Sequence, residues 1–358
     1  MSKFICIDDD PGTEALLRRL REAGLDVELR APKPVDQQFK ELASDKYDGL
    51  ILDLRLDEQQ NEGYKADYFS NLPARFVRDL AFSKSGRDVP VVMLSGTNNL
   101  REFYRPDFAS HDLYDAKYDK ADVPDRAAVI AAELASLVEA YGRVSSARSN
   151  KQQGFLEMLG TAEDGHFVDA RIGDKFLSVD APVHEYVRYI KTEIIDQPYP
   201  LVSEQLLAAR LGVDTESRGW QALLAKLEPF KYTGILCDAW PRWWWDSVSA
   251  WLKENLPESR FQQITAAERI ELIGSLGLED LHSAAPIEPG YLTRFWGMCD
   301  VLKRPVDPAN AFVSNQTSSQ PWHDPRYISF KAAFDREDEQ ITVHATERQR
   351  FESLLSQE

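Results

Sequence analysis

The stretch that most constrains this chain runs from Asp48 to Leu56, Asp-Gly-Leu-Ile-Leu-Asp-Leu-Arg-Leu. Leu50, Ile51 and Leu52 form an unbroken apolar run, bounded by Gly49 before it and by the charge of Asp53 after it. A strand covered by helices on both faces reads this way, whereas a half-exposed strand alternates. Open parallel sheets place their chemistry outside the carboxyl ends of their strands, and Asp53 stands at such an end.

The surrounding sequence supplies the rest of that sheet. Phe4 to Ile7 is a short apolar strand that runs into Asp8, Asp9 and Asp10. Leu16, Leu17, Leu20 and Ala23 recur at helical spacing, and Gly24 stops the helix. Val27 to Leu29 reads as a second strand and Phe39 to Ala43 as part of a second helix. After Asp53 come a helix over Leu72 to Phe82, a continuous strand over Val89 to Leu94 ending in Ser95-Gly96-Thr97, and a helix around Leu100 to Phe108. Leu113 to Tyr118 is a fifth strand, ending in Asp119-Lys120, and Ala127 to Tyr141 is a periodic closing helix. Five strands alternating with helices predict an α/β fold over residues 1–141: a flavodoxin-like, doubly wound, five-stranded parallel sheet.

Four chemical features then lie at four strand ends: an acid pair, Asp53, a Ser-Gly-Thr and a lysine. Three carboxylates packed together repel one another unless a cation neutralises them, and hard oxygen ligands favour Mg²⁺. A hydroxyl and an ammonium beside them suit the oxygens of a transferred phosphoryl group.

The set Ile7-Asp8-Asp9, Ile51-Leu52-Asp53, Met93-Leu94-Ser95-Gly96 and Asp119-Lys120 resembles the receiver domain of two-component response regulators. The resemblance implies that Asp53 accepts a phosphoryl group from a phosphohistidine of a histidine kinase. It implies that Asp8, Asp9, Asp53 and the backbone carbonyl of Arg55 hold Mg²⁺, and that Ser95, Gly96 and Lys120 bind the phosphoryl group, with Lys117 as the alternative lysine. Any catalysis it implies is limited to autophosphatase activity. Three departures stand out. The loop from Asp57 to Asn71 is long and acidic, Ala121 stands where receivers usually have proline, and the usual aromatic switch position falls on Lys117, flanked by Tyr114 and Tyr118.

The second half is less legible. Residues 142–154 are polar and read as a linker or an extension of the closing helix, followed by a mostly α-helical domain over 155–358. Val183 to Ile195 carries a helical stripe, and Thr265 to Glu268 has the spacing of a capping box opening a helix. Ser203 to Leu227 reads as helix, turn, helix, either a DNA-binding motif or two packed core helices. Asp214 and Glu216 beside a lone Arg218 argue for the latter. In the dense aromatic stretch Trp240 to Trp251, the residues Trp244, Val248 and Trp251 share a helical face, which leaves Arg242, Trp243 and Trp245 as a candidate partner surface. Trp322-His323-Asp324 reads as a tight loop rather than a catalytic fragment, and the six histidines show no metal-ligand spacing.

A formal net charge of -17 sets nucleic acid at a disadvantage as a partner. Three widely spaced cysteines suit a reducing cytosol, and with no signal peptide or membrane-spanning stretch the expected location is cytoplasmic. The expected function is therefore that of a response regulator. Phosphorylation of Asp53 would control protein–protein interaction by the C-terminal domain or by a homodimer. Alternatively the receiver would act as a phosphate sink, as in some two-component phage-defence systems. A DNA-binding regulator using residues 203–227 is the other reading.

Overall fold

The computed structural model describes residues 2–57, 66–83, 87–103, 113–161, 170–177, 180–256, 261–318, 320–338 and 340–356. The chain forms two compact units. One comprises Met1–Glu163, Arg171–Ile190 and Gly234–Ala239, and the other Asp164–Ala170, Lys191–Thr233 and Trp240–Glu358.

The first unit is built on the expected sheet. Strands β1 (Lys3–Ile7), β2 (Asp26–Arg30), β3 (Gly49–Leu52), β4 (Val91–Ser95) and β5 (Ala116–Asp119) lie in the order β2-β1-β3-β4-β5, all parallel. Helices α1 (Thr13–Glu22), α2 (Val35–Ser44), α3 (Asn71–Phe82), α4 (Thr97–Phe103) and α5 (Val123–Ala147) alternate with them. The apolar runs are buried on both faces. Ile5, Ile7, Leu50, Leu52, Val91 and Met93 share a core with Leu42 of α2 and Ala74 and Val77 of α3. Strand alternation sends Phe4, Cys6, Ile51 and Val92, all buried, to the opposite face, where α1 packs against α5. The predicted helix over Leu100 to Phe108 begins earlier, at Thr97, and its residues beyond 103 lie outside the described residues, as does most of the acidic loop, 58–65.

Strand β5 starts three residues later than its apolar pattern suggests, because Leu113 to Asp115 serve a buried polar network instead. The Arg78 guanidinium donates to the carbonyls of Leu113 and Val89 and pairs with Asp115 at 2.9 Å and Asp88 at 3.3 Å. Residues 142–147 continue α5 without a break, and α6 (Lys151–Leu159), α7 (Ala170–Leu177) and α8 (Val183–Ile190) follow. The predicted helix to Ile195 changes at Lys191 to a π-helical turn.

The second unit is helical with three short antiparallel strand pairs among the described residues. Its elements are β6 (Leu201–Ser203), α9 (Glu204–Leu211), α10 (Trp220–Leu227), β7 (Arg242–Trp244), α11 (Trp245–Asn255), α12 (Ala266–Gly274), β8 (Gly297–Met298), β9 (Pro305–Val306), β10 (Ala311–Val313), β11 (Tyr327–Ser329), α13 (Phe330–Asp335) and α14 (Arg348–Leu355). The pairs are β6 with β7, β8 with β9, and β10 with β11. Thr265 and Glu268 form the expected capping box at α12. Helices α9 and α10 give Leu206, Leu207, Leu211, Trp220, Leu223 and Leu227 to one core, and Arg218 stays exposed in the turn between them.

The partner surface expected at Arg242, Trp243 and Trp245 is not one. Trp243 and Trp245 are 3% and 6% exposed, and Arg242 is half-buried, donating to the carbonyls of Ile195 and Pro241. The cause is a shift of the helix start. Arg242 to Trp244 pair with β6, so α11 begins at Trp245 and its buried stripe is Trp245, Val248 and Leu252. Trp245 packs edge-on against Trp296 at 5.3 Å.

Gly212 closes α9 with φ +76°, and a Cβ placed there would meet the Ala266 Cα at 2.8 Å. Gly212→Ala combines backbone strain with a clash against α12. It is expected to lower the urea-unfolding stability by about 2 kcal/mol, while a loss under about 0.5 kcal/mol would contradict this packing.

Candidate metal centre

The strand order reverses between β1 and β3, so the connections leaving these two strands depart toward opposite faces and open a crevice at their carboxyl ends. The register carries the acidic residues there. Ile7 at the end of β1 pairs with Leu52 at the end of β3, and the Asp53 amide donates to the Ile7 carbonyl at 3.0 Å. Asp8, Asp9 and Asp53 are each at most 3% exposed, and each offers a carboxylate oxygen within 4.8 Å of the others.

Local chemistry fixes Asp8. Its Oδ1 accepts from the Asp10 amide at 2.9 Å and its Oδ2 from the Thr13 hydroxyl at 2.9 Å. The Lys120 Nζ lies 2.7 Å from the same Oδ2 and 3.6 Å from Asp53 Oδ2. Thr13 was not singled out from the sequence. Its signal is the turn Asp-Asp-Asp-Pro-Gly-Thr, which returns the first residue of α1 to the strand end.

Strands β4 and β5 deliver the other predicted residues. Ser95 is the last residue of β4 and pairs with Asp119, the last of β5, so Ser95 and Lys120 reach the same edge of the sheet. Ser95 is fully buried, and its Oγ has no hydrogen-bond partner among the described residues. Gly96 follows at the start of the loop into α4, its carbonyl capping Leu100. Lys120 meets the carboxylates, while Lys117, two strand positions before the end of β5, is exposed. Arg55 lies just beyond Asp53, its side chain bound to Asp57 at 2.6 Å.

Burial and the neighbouring charge of Asp8 push the Asp53 carboxyl up to about 6, against partial relief from Lys120. Burial works against the Lys120 ammonium, yet Asp8 and Asp53 outweigh it and hold the lysine above its ordinary range. One oxygen of Asp53, Oδ1, is buried without any hydrogen-bond partner. A buried anionic oxygen without a donor is costly, and a cation beside it is the simplest remedy. Three hard carboxylates, one of them carrying the orphaned oxygen, fit Mg²⁺.

No protein-family model matches the sequence, and no curated protein matches it. Among solved structures, the receiver domain of a sensor histidine kinase from Pseudomonas aeruginosa PAO1, with a magnesium ion in its active-site cleft, is 17% identical. That match covers 38% of this chain and 98% of that one, with a TM-score of 0.28. The response regulator TrrA from Thermotoga maritima, in complex with Mg²⁺-BeF, is 21% identical over 33% of this chain and 86% of that one, with a TM-score of 0.23. A response-regulator receiver domain from Clostridium thermocellum is 15% identical over 39% of this chain and 95% of that one, with a TM-score of 0.27. Likeness at this level carries no argument about chemistry. The strand order and parallel register define the first unit as a flavodoxin-like doubly wound fold, with three carboxylates gathered at its strand ends.

In the second unit the residues of the Trp322-His323-Asp324 segment serve separate partners. His323 Nε2 meets the Glu193 carbonyl at 2.7 Å, Asp324 pairs with Arg210 at 2.6 Å, and Arg294 binds Asp307. His111 and His166 lie outside the described residues. No helix among the described residues is long and apolar enough to cross a membrane.

The raised Asp53 carboxyl has a consequence for metal-free protein. Its folded value lies above the ordinary 3.8, so the native state holds that proton more tightly than the unfolded chain does. The stabilisation is complete below about pH 4 and is lost as the pH rises through about 6. At pH 7 without Mg²⁺, Asp53→Asn is therefore expected to be more stable than wild type, by on the order of 2 kcal/mol. Added Mg²⁺ is expected to raise the melting temperature of wild type and to leave the variant nearly unchanged. A variant less stable than metal-free wild type would contradict the crowding of these carboxylates.

Proposed function

We propose that this chain is a response regulator whose receiver accepts a phosphoryl group on Asp53 from the phosphohistidine of a histidine kinase. The observation that carries this reading is the arrangement at the sheet edge: a buried Asp53 with one unpartnered oxygen, set between two further carboxylates, a lysine and an unpartnered serine hydroxyl.

Each residue has a definable task. Asp53 is the nucleophile: its carboxylate oxygen forms a bond to phosphorus as the bond from phosphorus to the donor imidazole nitrogen breaks. Asp8, Asp9 and Asp53, with the Arg55 carbonyl, would hold Mg²⁺, which when bound neutralises the carboxylates and the transferred phosphoryl oxygens. Thr13 and the Asp10 amide keep Asp8 oriented. Lys120 stays charged beside Asp8 and is placed to move its ammonium toward a phosphoryl oxygen on Asp53. Ser95 has a free hydroxyl to donate to another, and Gly96 leaves the approach open, with nothing within 4 Å of where a Cβ would stand. Positioning and charge neutralisation of this kind are the main sources of catalysis in phosphoryl transfer.

The output we propose is protein–protein interaction switched by phosphorylation, through the C-terminal unit or through a second copy of the chain. A phosphate sink is the limiting case with no output of its own. The net charge of -17 and the burial of the apolar faces of α9 and α10 support a protein partner over nucleic acid.

Incubation with acetyl phosphate and Mg²⁺, read by intact mass, is expected to give a single phosphoryl adduct on wild type. The adduct is expected to be absent without Mg²⁺ and in Asp53→Asn, and strongly reduced in Lys120→Ala. An adduct of equal yield in Asp53→Asn would remove Asp53 from the role.

A further inference from the structure

The first unit carries a second built cluster, at the end of the sheet opposite the carboxylates. Arg78 of α3 is its centre, with a side chain 6% exposed. Around it stand Asp88 before β4, Asp115 before β5 and Tyr141 of α5, whose hydroxyl meets Asp115 at 2.8 Å and Arg78 at 3.1 Å. Asp115 Oδ2 also accepts from the Val91 amide at 2.8 Å, tying the start of β4 to the start of β5.

Helix α8 enters this cluster through one residue. Asp88 Oδ2 accepts from both the backbone amide and the ring Nδ1 of His184, each at 2.8 Å. Val183 opens α8 and Pro182 precedes it, so the N-cap position itself carries no hydroxyl or carboxylate. Asp88, nearly one hundred residues away in sequence, fills that position and places its charge at the positive end of the helix. Val183, Tyr186, Val187 and Ile190 are buried on the same helix, and Tyr189 binds the Ile172 carbonyl of α7 at 3.2 Å.

The same two strands link this cluster to the carboxylate site. β4 runs from Val91, held by Asp115, to Ser95, and β5 runs from beside Asp115 to Asp119, next to Lys120. The four residues of β5 span about 13 Å, so the two clusters lie at opposite ends of one short pair of strands. Charge added at Asp53 draws on Ser95 and Lys120, and the strands carrying them end at Asp115 and its partner Arg78.

Resting on the reading of Asp53 as phosphoacceptor, we propose that α8 is a phosphorylation-responsive arm, latched to the receiver by the Asp88–His184 contact and loosened when β4 and β5 shift. The latch is two hydrogen bonds to one Asp88 oxygen at the edge of a network whose other members hold one another, so this polar hold opens without unfolding the sheet and leaves α8 its apolar packing on α5. Loosening frees an amphipathic helix, the kind of element that binds a partner groove.

Hydrogen exchange of the full chain with Mg²⁺, with and without beryllofluoride, tests this. The amides of residues 183–190 are expected to exchange at least tenfold faster with beryllofluoride. His184→Phe is expected to show that faster exchange without it and little further change, while the β1 and β3 peptides stay protected in both proteins. If His184→Phe does not fold, Asp88→Asn, which keeps the side chain's size, takes its place. A response at residues 91–100 and 116–123 with none at 183–190 would overturn the arm while sparing the acceptor. A full response at 183–190 retained in the variant would overturn the latch. No response anywhere would overturn the acceptor reading and the arm with it.

Discussion

The first unit is governed by the repulsion among three carboxylates held out of water at a crevice in a parallel sheet. Asp8, Asp9 and Asp53 would be a liability in any ordinary core, since burying a charge without a partner costs several kcal/mol. Here the fold fixes them in place. β1 and β3 are neighbours, their ends are in register, and Thr13 and the Asp10 amide pin one of the three. Lys120 relieves part of the strain and leaves Asp53 Oδ1 unpartnered. The site is thus crowded with negative charge and keeps one carboxylate oxygen open to a cation.

The opposite end of the same sheet uses buried charge differently. Arg78 is matched by Asp88 and Asp115, and every polar group around it has a partner. Satisfied networks of this type rigidify a fold and specify a single arrangement. The sheet therefore joins an unsatisfied end, where the carboxylates crowd, to a satisfied end, where α8 is held. In the second unit buried arginine has a third role. Arg210 lies between the Trp245 and Trp296 rings at 4.9 and 4.7 Å, and Arg269 donates to the carbonyls of Phe261, Gln262, Arg210 and Phe295. Those side chains cross-link loops that have little regular structure of their own.

The receiver fold was legible because its information is local. Apolar runs at Phe4, Leu50 and Val89 mark strands buried on both faces, and each ends in the residue that matters. Local pattern could not separate Lys117 from Lys120. Pairing of β5 with β4 does so, by ending the strand at Asp119 opposite Ser95. The Arg78 network escaped the sequence for the opposite reason: its members lie 10 to 96 positions from their partners, and none is unusual in its own neighbourhood. The aromatic stretch misled because a three-residue strand is too short to show a period of two. Trp243 and Trp244 lie on that strand and Trp245 opens the helix, so all three are buried, which a single helical stripe does not predict.

The most direct test of the central claim is to locate the phosphoryl group chemically. An acyl phosphate is reduced by borohydride to an alcohol, which turns a phosphorylated aspartate into homoserine at its own position in the chain. After treatment with a small-molecule phosphodonor and Mg²⁺, reduction and peptide sequencing by mass spectrometry are predicted to find homoserine at position 53 alone. Homoserine at position 8 or 9, or none in protein shown by intact mass to be phosphorylated, would contradict the account.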